Sequence, residues 1–219
     1  MTVAFLKLFL HVLPRLLPGL WVTLALGVGA TGIAAIAGLM LTLLAVSRFA
    51  PARFLVAGYV EVLRNTPLLV QMFFIFLGLP FLGIRVSAFD AALMSLALQH
   101  AAFFSEIYRG GWLAVSKRSS EAAKALGLGY WKTVWLVILP QAIAKVLPAI
   151  TNEVVQIVKD TSVASTIAVG ELTLRGGTLA GQTASETLAF VAVAFYYLCV
   201  TGVVTAAAHV IEKRIRFAE

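Results

Sequence analysis

The longest stretch of this sequence without a charged side chain lies between Arg15 and Arg48. A helix of about 20 mostly apolar residues crosses the hydrocarbon core of a bilayer, so this stretch is long enough to span a membrane. It exceeds the apolar region of a cleaved signal peptide, which has about 7–15 residues. Its many glycine and alanine residues favour close packing between helices inside a membrane. The feature predicts a first membrane-spanning helix near residues 20–46.

The composition excludes most other classes of protein. Hydrophobic side chains make up 61% of the 219 residues and charged ones 12%, against about 45–50% and about 25% in soluble domains. A soluble domain of this size leaves too much surface exposed to hide that apolar content. The single cysteine, Cys199, excludes an internal disulfide. The net charge is +7, but no basic run is interleaved with aromatic residues, so no nucleic-acid partner is expected.

Further charge-poor segments predict four more spans in a single all-α transmembrane domain covering residues 1–219. These segments lie near residues 54–78, 87–110, 133–160 and 186–211. Pro67 is expected to kink the second span or to begin a fresh helix there, and Pro140 and Pro148 interrupt the fourth. Five spans place the two termini on opposite sides of the membrane.

Basic residues near the span ends predict the orientation, because Lys and Arg accumulate on the cytoplasmic side. With the N-terminus outside, ten basic residues lie inside and five lie outside. The inner set is Arg48, Arg53, Arg109, Lys117, Arg118, Lys124, Lys132, Lys213, Arg214 and Arg216. The outer set is Lys7, Arg15, Arg85, Lys159 and Arg175. The sequence therefore predicts an outside N-terminus and an inside C-terminus.

The loop at residues 116–131, between the third and fourth predicted spans, has the pattern of a short surface helix. Ser119 or Ser120 is expected to cap its start. Gly127 and Gly129 are expected to end it and let the chain turn. The alternative is a surface loop that only connects two spans.

A motif in this loop continues into the fourth span at fixed spacing. It consists of Glu121, Ala122, Ala123, Gly127, Leu139 and Pro140. This pattern resembles the signature of the inner-membrane permease subunits of ATP-binding-cassette (ABC) importers, which reads E-A-A, three residues, G, nine residues and I-x-L-P. Val137 stands where that signature has isoleucine.

Other strings resemble the polar amino-acid permeases of the same superfamily. They are residues 62–71 (VLRNTPLLVQ), 105–111 (SEIYRGG), 137–142 (VILPQA), 147–153 (LPAITNE) and 159–162 (KDTS). The stretch Ser116-Lys117-Arg118-Ser119 departs from the family's Pro-Lys-Gly-Gln. That departure bears on the geometry of docking and on the choice of ATPase partner.

The resemblance implies a bacterial inner-membrane importer in which this loop is a cytoplasmic coupling helix docked into a cleft of an ATPase dimer. It implies that Glu121 makes polar contacts there, that Ala122 and Ala123 permit close approach, and that Gly127 forms the bend. A second permease subunit, identical or paralogous, and an extracytoplasmic substrate-binding protein would complete the complex. The chain has no phosphate-binding loop of the G-x-x-x-x-G-K-[ST] type. It is therefore not expected to be an enzyme or to bind a cofactor, and ATP and Mg²⁺ would bind to the partner ATPase.

Polar side chains inside the predicted spans are candidates for the amino-acid pathway, because such groups usually face a cavity or a partner. In the fourth span, Gln141, Lys145, Asn152, Gln156 and Lys159 are spaced to share one helical face. The candidate pathway residues are Gln71, Gln99, Glu106, Lys145, Asn152, Glu153, Gln156 and Asp160. The alternative is that they lock helices together or lie near the membrane interface.

Two further polar features receive structural interpretations. Glu61 and Arg64 are spaced to pair on the second span, and His100 is expected to be a packed polar residue rather than a metal ligand. The rival functions are a secondary transporter, which usually has an internal repeat and its own ion site, and a membrane-embedded enzyme, which needs a catalytic constellation. The sequence shows neither.

Overall fold

The computed structural model describes residues 2–183 and 185–216, with side chains from residue 7 to residue 214 apart from residue 184. This part of the chain consists of helices joined by short connections and contains no strand. The α-helices are α1 Thr2–Ala45, α2 Ala50–Asn65, α3 Leu68–Phe73, α4 Ala88–Leu113, α5 Lys117–Ala125, α6 Tyr130–Thr133, α7 Leu139–Asp160, α8 Leu172–Thr183 and α9 Glu186–Arg216. The π-helical turns are Phe74–Gly78 and Val134–Ile138, and the 3₁₀ turns are Leu79–Leu82 and Thr161–Ile167.

The first helix is much longer than the predicted segment at residues 20–46. It begins at Thr2 and continues through Pro14 and Pro18. The added N-terminal part is held by packing, since Val12 and Leu16 are fully buried in a cluster with α8 and α9. A prediction from charge gaps missed this part because Lys7 and Arg15 interrupt the apolar run.

The second predicted span, residues 54–78, is broken at Pro67, as its sequence indicates. α2 and the helical segment Leu68–Leu82 meet at an angle of 107°. The cause is Pro67, which disfavours helical geometry at the residue before it. Thr66 is accordingly extended, with φ −103° and ψ 132°. The expectation of a fresh helix beginning at Pro67 is confirmed.

Helix α4 forms the centre of the molecule and packs against α1, α2 and α7. Ala92, Leu96 and Phe104 are at most 1% exposed. Gln99, His100 and Ser105 are also buried on this helix. The polar content lowers its hydropathy, although it begins and ends close to the predicted 87–110.

Three of the described helical segments are long and apolar enough to cross a membrane, or four if the bent pair counts as one span. The three are Lys7–Ala45, Tyr130–Ile167 and Glu186–Arg214. α4 is not among them. The count of five spans therefore stays a prediction.

The fourth and fifth predicted spans match long helices, but one helix between them was not expected. The chain is continuously helical from Tyr130 to Ile167, and Pro140 lies at the start of α7, directly after a π-helical turn. α9 begins at Glu186, as predicted. The additional helix α8 packs between α1 and α9, and its 12 residues are too few to span a bilayer by themselves.

We predict that Gly38→Val weakens the contact between α1 and α4. A Cβ atom at Gly38 would lie 2.5 Å from Cβ of Phe104 and 3.0 Å from the carbonyl oxygen of Ala101. Overpacking of this kind costs about 1–3 kcal/mol. Thermal unfolding of the purified protein in detergent should show a lower midpoint. Gly32→Val is the matched control on the same helix, because nothing lies within 4 Å of its added Cβ. Equal midpoints for the two variants would contradict this packing.

Candidate coupling and translocation sites

The loop after α4 folds into the short helix α5, as predicted, but its start differs from the prediction. Ser116 caps the helix, and its Oγ accepts a hydrogen bond of 3.2 Å from the backbone N–H of Arg118. Ser119 and Ser120 lie inside the helix. The proposed caps at these two serines were therefore wrong. Because its cap lies about one turn earlier than predicted, α5 is longer than the sequence indicated.

Gly127 ends α5 in a Schellman motif, which confirms the predicted stop. Its φ is +76°, a left-handed conformation that glycine adopts without steric cost. The N–H of Gly127 donates to Lys124 O at 2.9 Å, and the N–H of Leu128 donates to Ala123 O at 3.1 Å. The last carbonyl groups of the helix are thus satisfied by the chain's own backbone.

Side chains attach α5 to α7, and α7 in turn to the end of α4. Ser119 Oγ donates to Gln141 Oε1 of α7 at 3.3 Å. Lys145 Nζ of α7 donates to the carbonyl oxygen of Ala114, at the end of α4. The first contact holds α5 against the start of α7, and the second holds α7 against the end of α4.

One face of this region is exposed and combines charge with large apolar groups. Glu121, Ala122 and Gly127 are exposed, whereas Ala123 is 3% exposed and faces the chain's own helices. Leu126, Tyr130 and Trp131 are 82%, 67% and 70% exposed. We call the surface formed by Glu121, Ala122, Leu126, Tyr130 and Trp131 the coupling face. Its exposed aromatic groups are typical of a binding surface or of the membrane interface.

Inside the helical bundle, His100 of α4 lies between two carboxylates of α7. Its Nδ1 is 2.6 Å from Glu153 Oε1. Its Nε2 is 3.4 Å from Asp160 Oδ2, an ion-pair distance without hydrogen-bond geometry. The His100 side chain is 1% exposed, so the expectation of a packed polar histidine is confirmed. Among the described residues, no group of three His, Cys, Asp or Glu side chains is arranged to hold a metal.

Two candidate pathway glutamines lie at the break between α2 and α3. Gln71 Nε2 donates to the carbonyl oxygens of Leu63 and Thr66, both at 2.9 Å. Gln99 Nε2 of α4 donates to the same Thr66 oxygen at 3.3 Å. Each glutamine is 9% exposed. These amides satisfy carbonyl groups that the broken helix leaves without partners.

Glu106 is held by two arginines. Arg109 donates to both of its carboxylate oxygens, at 2.9 and 2.6 Å, and Arg64 lies 3.7 Å away. The suggested pair of Glu61 with Arg64 is therefore wrong. Glu61 instead accepts a hydrogen bond of 2.8 Å from Asn65 Nδ2.

The remaining polar residues of α7 are exposed on one face of the helix, as their spacing indicates. The exposed polar residues are Lys145, Asn152, Gln156 and Lys159. Gln156 Nε2 donates to Asp160 Oδ1 at 2.9 Å. This surface borders the carboxylate pair at His100. Its role in transport stays a prediction.

Glu171 is a buried carboxylate that our sequence reasoning missed. It is 0% exposed and accepts hydrogen bonds of 2.8 Å from the backbone N–H groups of Thr173 and Leu174. Tyr197 of α9 donates to it at 2.9 Å. Burial raises the pKa of the Glu171 carboxyl, and the N–H groups of α8 act in the opposite direction. An acidic residue before the first turn of a helix is the signal that identifies such a cap.

Comparison with known proteins gives the class of this molecule. The chain matches the family described as binding-protein-dependent transport system inner membrane component over residues 36–217, and it belongs to that family. It is 32% identical to the arginine transport system permease protein ArtQ of Bacillus subtilis, over 93% of this chain and 94% of that protein. It is 36% identical to the glutamine transport system permease protein GlnP of Escherichia coli strain K12, over 72% and 73%.

A solved structure agrees with this assignment. The crystal structure of an amino acid ABC transporter with histidines superposes with a TM-score of 0.88 at 33% identity, over 98% of this chain and 100% of that one. The chain thus has the fold of an ABC transporter permease and is an inner-membrane, multi-pass protein of the amino-acid transport class. The predicted resemblance is confirmed.

We predict that Glu171→Ala destabilises the attachment of α8 to α9. The variant removes a helix cap, which typically contributes about 1 kcal/mol, and leaves the Tyr197 hydroxyl without this acceptor. The thermal midpoint of the detergent-purified protein should fall. Glu186→Ala, at an exposed position in the first turn of α9, serves as the control and should change it little. A midpoint unchanged by Glu171→Ala would show that the cap is dispensable.

Proposed function

We propose that this chain is the transmembrane permease subunit of an ATP-driven amino-acid importer and that it couples the pathway to a separate ATPase. The observation that carries the proposal is α5. It is a short exposed helix that contacts the start of α7 through Ser119 and Gln141, and α7 binds the end of α4 through Lys145 and Ala114. Family membership and the similarity to amino-acid permeases support the same function.

The proposed topology has five spans, with the N-terminus outside and the C-terminus inside. Counting α4 as a span, together with the bent pair, gives this number. Polar side chains of α4, among them His100 and Glu106, bind partners within the protein. These side chains therefore do not prevent α4 from crossing the membrane, which supports counting it as a span. The excess of basic residues on the side of α5 supports the orientation.

The proposed assembly contains two permease subunits, an ATPase dimer, an extracytoplasmic binding protein and surrounding lipid. Five helices alone form too thin a wall to enclose a pathway, which is why we include a second permease, identical or paralogous. ATP and Mg²⁺ would bind to the ATPase and not to this chain. The binding protein would deliver the amino acid from the outer side.

In the proposed mechanism, closure of the ATPase dimer displaces α5 as a rigid body. The Schellman motif at Gly127 keeps α5 intact during that displacement, and its contacts transmit the movement to α4 and α7. The inner ends of these helices then shift, and the cavity between the two permeases exchanges its inward-facing form for the outward-facing one. Glu121 and Ala122 make the direct contacts with the ATPase, and Ala123 supports them from within.

The proposed pathway surface comprises the exposed face of α7 and its neighbours. Asn152, Gln156, Glu153 and Asp160 lie there, and the last two are partly exposed. Gln71, Gln99, Glu106 and Lys145 stabilise the surrounding helices through the contacts described above. Their proposed contribution is to shape the pathway.

The test of this function is purification of the tagged chain from its native membrane, with the accompanying proteins identified by mass spectrometry. A stoichiometric ATPase that contains a phosphate-binding loop is the expected result. A second permease in the sample would distinguish a heterodimer from a homodimer. A chain that purifies alone and still binds an amino acid would contradict the proposal and favour a secondary transporter.

We predict that Glu121→Lys reduces association with the ATPase. It reverses the charge of an exposed side chain on the coupling face. Like-charge contacts or unpaired charges at an interface cost several kcal/mol. Co-purification of the ATPase should fall at least about tenfold, which corresponds to about 1.4 kcal/mol.

Glu212→Lys is the matched control, since it makes the same reversal on the same proposed side of the membrane but outside the coupling face. It should retain the ATPase. Full ATPase recovery with Glu121→Lys would exclude Glu121 from the docking contact.

We predict that Glu153→Gln slows amino-acid uptake several-fold without releasing the ATPase. The change removes one charge from the partly exposed carboxylate pair on the proposed pathway surface. Uptake of labelled amino acid into proteoliposomes containing the whole complex would measure the rate, and co-purification would measure assembly. Glu186→Gln, away from this surface, should behave like the wild type. An unaltered uptake rate in Glu153→Gln would remove Glu153 from the pathway.

A further inference from the structure

The contact between His100 and its two carboxylates has a consequence for the charge of the transported substrate. Glu153 and Asp160 lie seven residues apart on α7, about two helical turns, and both reach the same imidazole from α4. Among the described residues, no Lys or Arg forms an ion pair with either carboxylate. The imidazole is therefore the cationic group that faces the pair.

The positions of the two carboxylates indicate which charge state of the ring this environment favours. A neutral imidazole has one N–H donor and one bare nitrogen, whereas an imidazolium has two N–H donors. Carboxylates face both nitrogens here, at 2.6 and 3.4 Å. Nδ1 is within hydrogen-bond distance of Glu153, and Nε2 is at ion-pair distance from Asp160. Two carboxylates this close favour the imidazolium over the neutral ring, and the three groups then carry one net negative charge.

The other groups near His100 are consistent with a charged imidazolium ring. Gln156 donates an uncharged N–H to Asp160, and the Phe103 ring lies 6.0 Å from the imidazole. Arg64 contacts the Phe103 ring and is paired with Glu106. Lys159 is exposed and Lys145 donates to Ala114. Arg64 and Lys145 thus bind other groups and Lys159 is exposed, so His100 is the cationic group next to the two carboxylates.

The carboxylates are nevertheless accessible in part. The Glu153 side chain is 13% exposed and the Asp160 side chain is 25% exposed, whereas His100 is 1% exposed. The exposed parts of these two side chains lie beside the face of α7 that we assign to the pathway. Without His100, the pair would present two uncompensated carboxylates to this surface, and such a site favours a cationic group.

We infer that His100 is a tethered cation that occupies the carboxylate pair and thereby makes the pathway selective for amino acids without a positively charged side chain. This inference rests on the proposed function and specifies its substrate class. A lysine or arginine side chain would have to compete with a cation that is covalently part of the protein, and that competition reduces its binding. His100 is a specificity-determining residue in this scheme.

The experiment measures equilibrium binding of radiolabelled arginine and glutamine to the purified complex of permease and ATPase, without the binding protein. Omission of the binding protein removes its own selectivity from the result. His100→Ser should raise the affinity for arginine at least about tenfold and leave that for glutamine within about threefold. His209→Ser, which removes an exposed histidine of α9, is the control and should change neither.

Two further variants make the result specific. The double variant His100→Ser with Glu153→Gln should lose the gain in arginine affinity, because it removes half of the released carboxylate pair. His100→Gln keeps a hydrogen-bond donor of similar length but no charge, and should also raise arginine affinity. It provides the same test if His100→Ser does not assemble.

The outcomes separate this inference from the proposed function. If wild-type protein assembles with its ATPase and binds glutamine, but neither His100 variant gains arginine affinity, the tethered cation is wrong and the importer stands. If arginine binds wild-type protein as tightly as glutamine does, the inference is also overturned. If no ATPase accompanies the chain and no amino acid is transported, the proposed function itself fails.

Discussion

Polar side chains in the centre of this molecule must find their partners within the protein, and that requirement organises the fold. Among the described residues, α4 carries more of the buried polar side chains than any other helix, and the neighbouring helices supply partners. α7 contributes Glu153 to His100, α2 contributes Arg64 to Glu106, and the broken turn after α2 contributes the Thr66 carbonyl to Gln99. An unpartnered polar group in apolar surroundings costs several kcal/mol, so these contacts fix which face of α4 meets which helix. The small residues along α1 then allow the close approach that covers the remaining side of α4.

The same contacts connect the centre of the bundle to its surface. α4 and α7 are joined by His100 in the interior and by Lys145 near α5, two points well separated along the helices. Two attachment points restrain rotation of one helix about the other. α5 follows α4 in the chain and contacts the start of α7 through Ser119, and its own termini are closed by Ser116 and Gly127. In the proposed mechanism, movement of α5 is consequently converted into movement of a helix pair rather than into local bending.

Much of the architecture was predictable from the sequence, and the misses have identifiable causes. Charge gaps located α4, α7 and α9 well, because apolar length determines where a chain can cross a bilayer. They misplaced the start of α1, since Lys7 and Arg15 hid a stretch held by tertiary packing. The pattern of the loop predicted the short helix α5, whose coupling role stays a prediction, but local preference for Ser119 and Ser120 as caps was overridden by Ser116. The contact of His100 with Glu153 links residues far apart in sequence, and no periodicity can reveal such a pairing.

At the C-terminal end of α5, the last carbonyl groups are satisfied by backbone N–H groups, and the chain turns at a single left-handed glycine. The side chains of Lys117, Arg118 and Lys124 take no part in these contacts and are exposed. The shape of the helix is thus independent of the chemistry displayed on its outer surface. In the proposed mechanism, substitution at these positions changes which ATPase surface is recognised and leaves the contact of α5 with α7 in place. Within the Ser-Lys-Arg-Ser stretch, Ser116 and Ser119 hold the helix in place, whereas Lys117 and Arg118 face outward. In the proposed importer, the two basic residues can therefore differ between transporters with different motor subunits while the helix keeps its position.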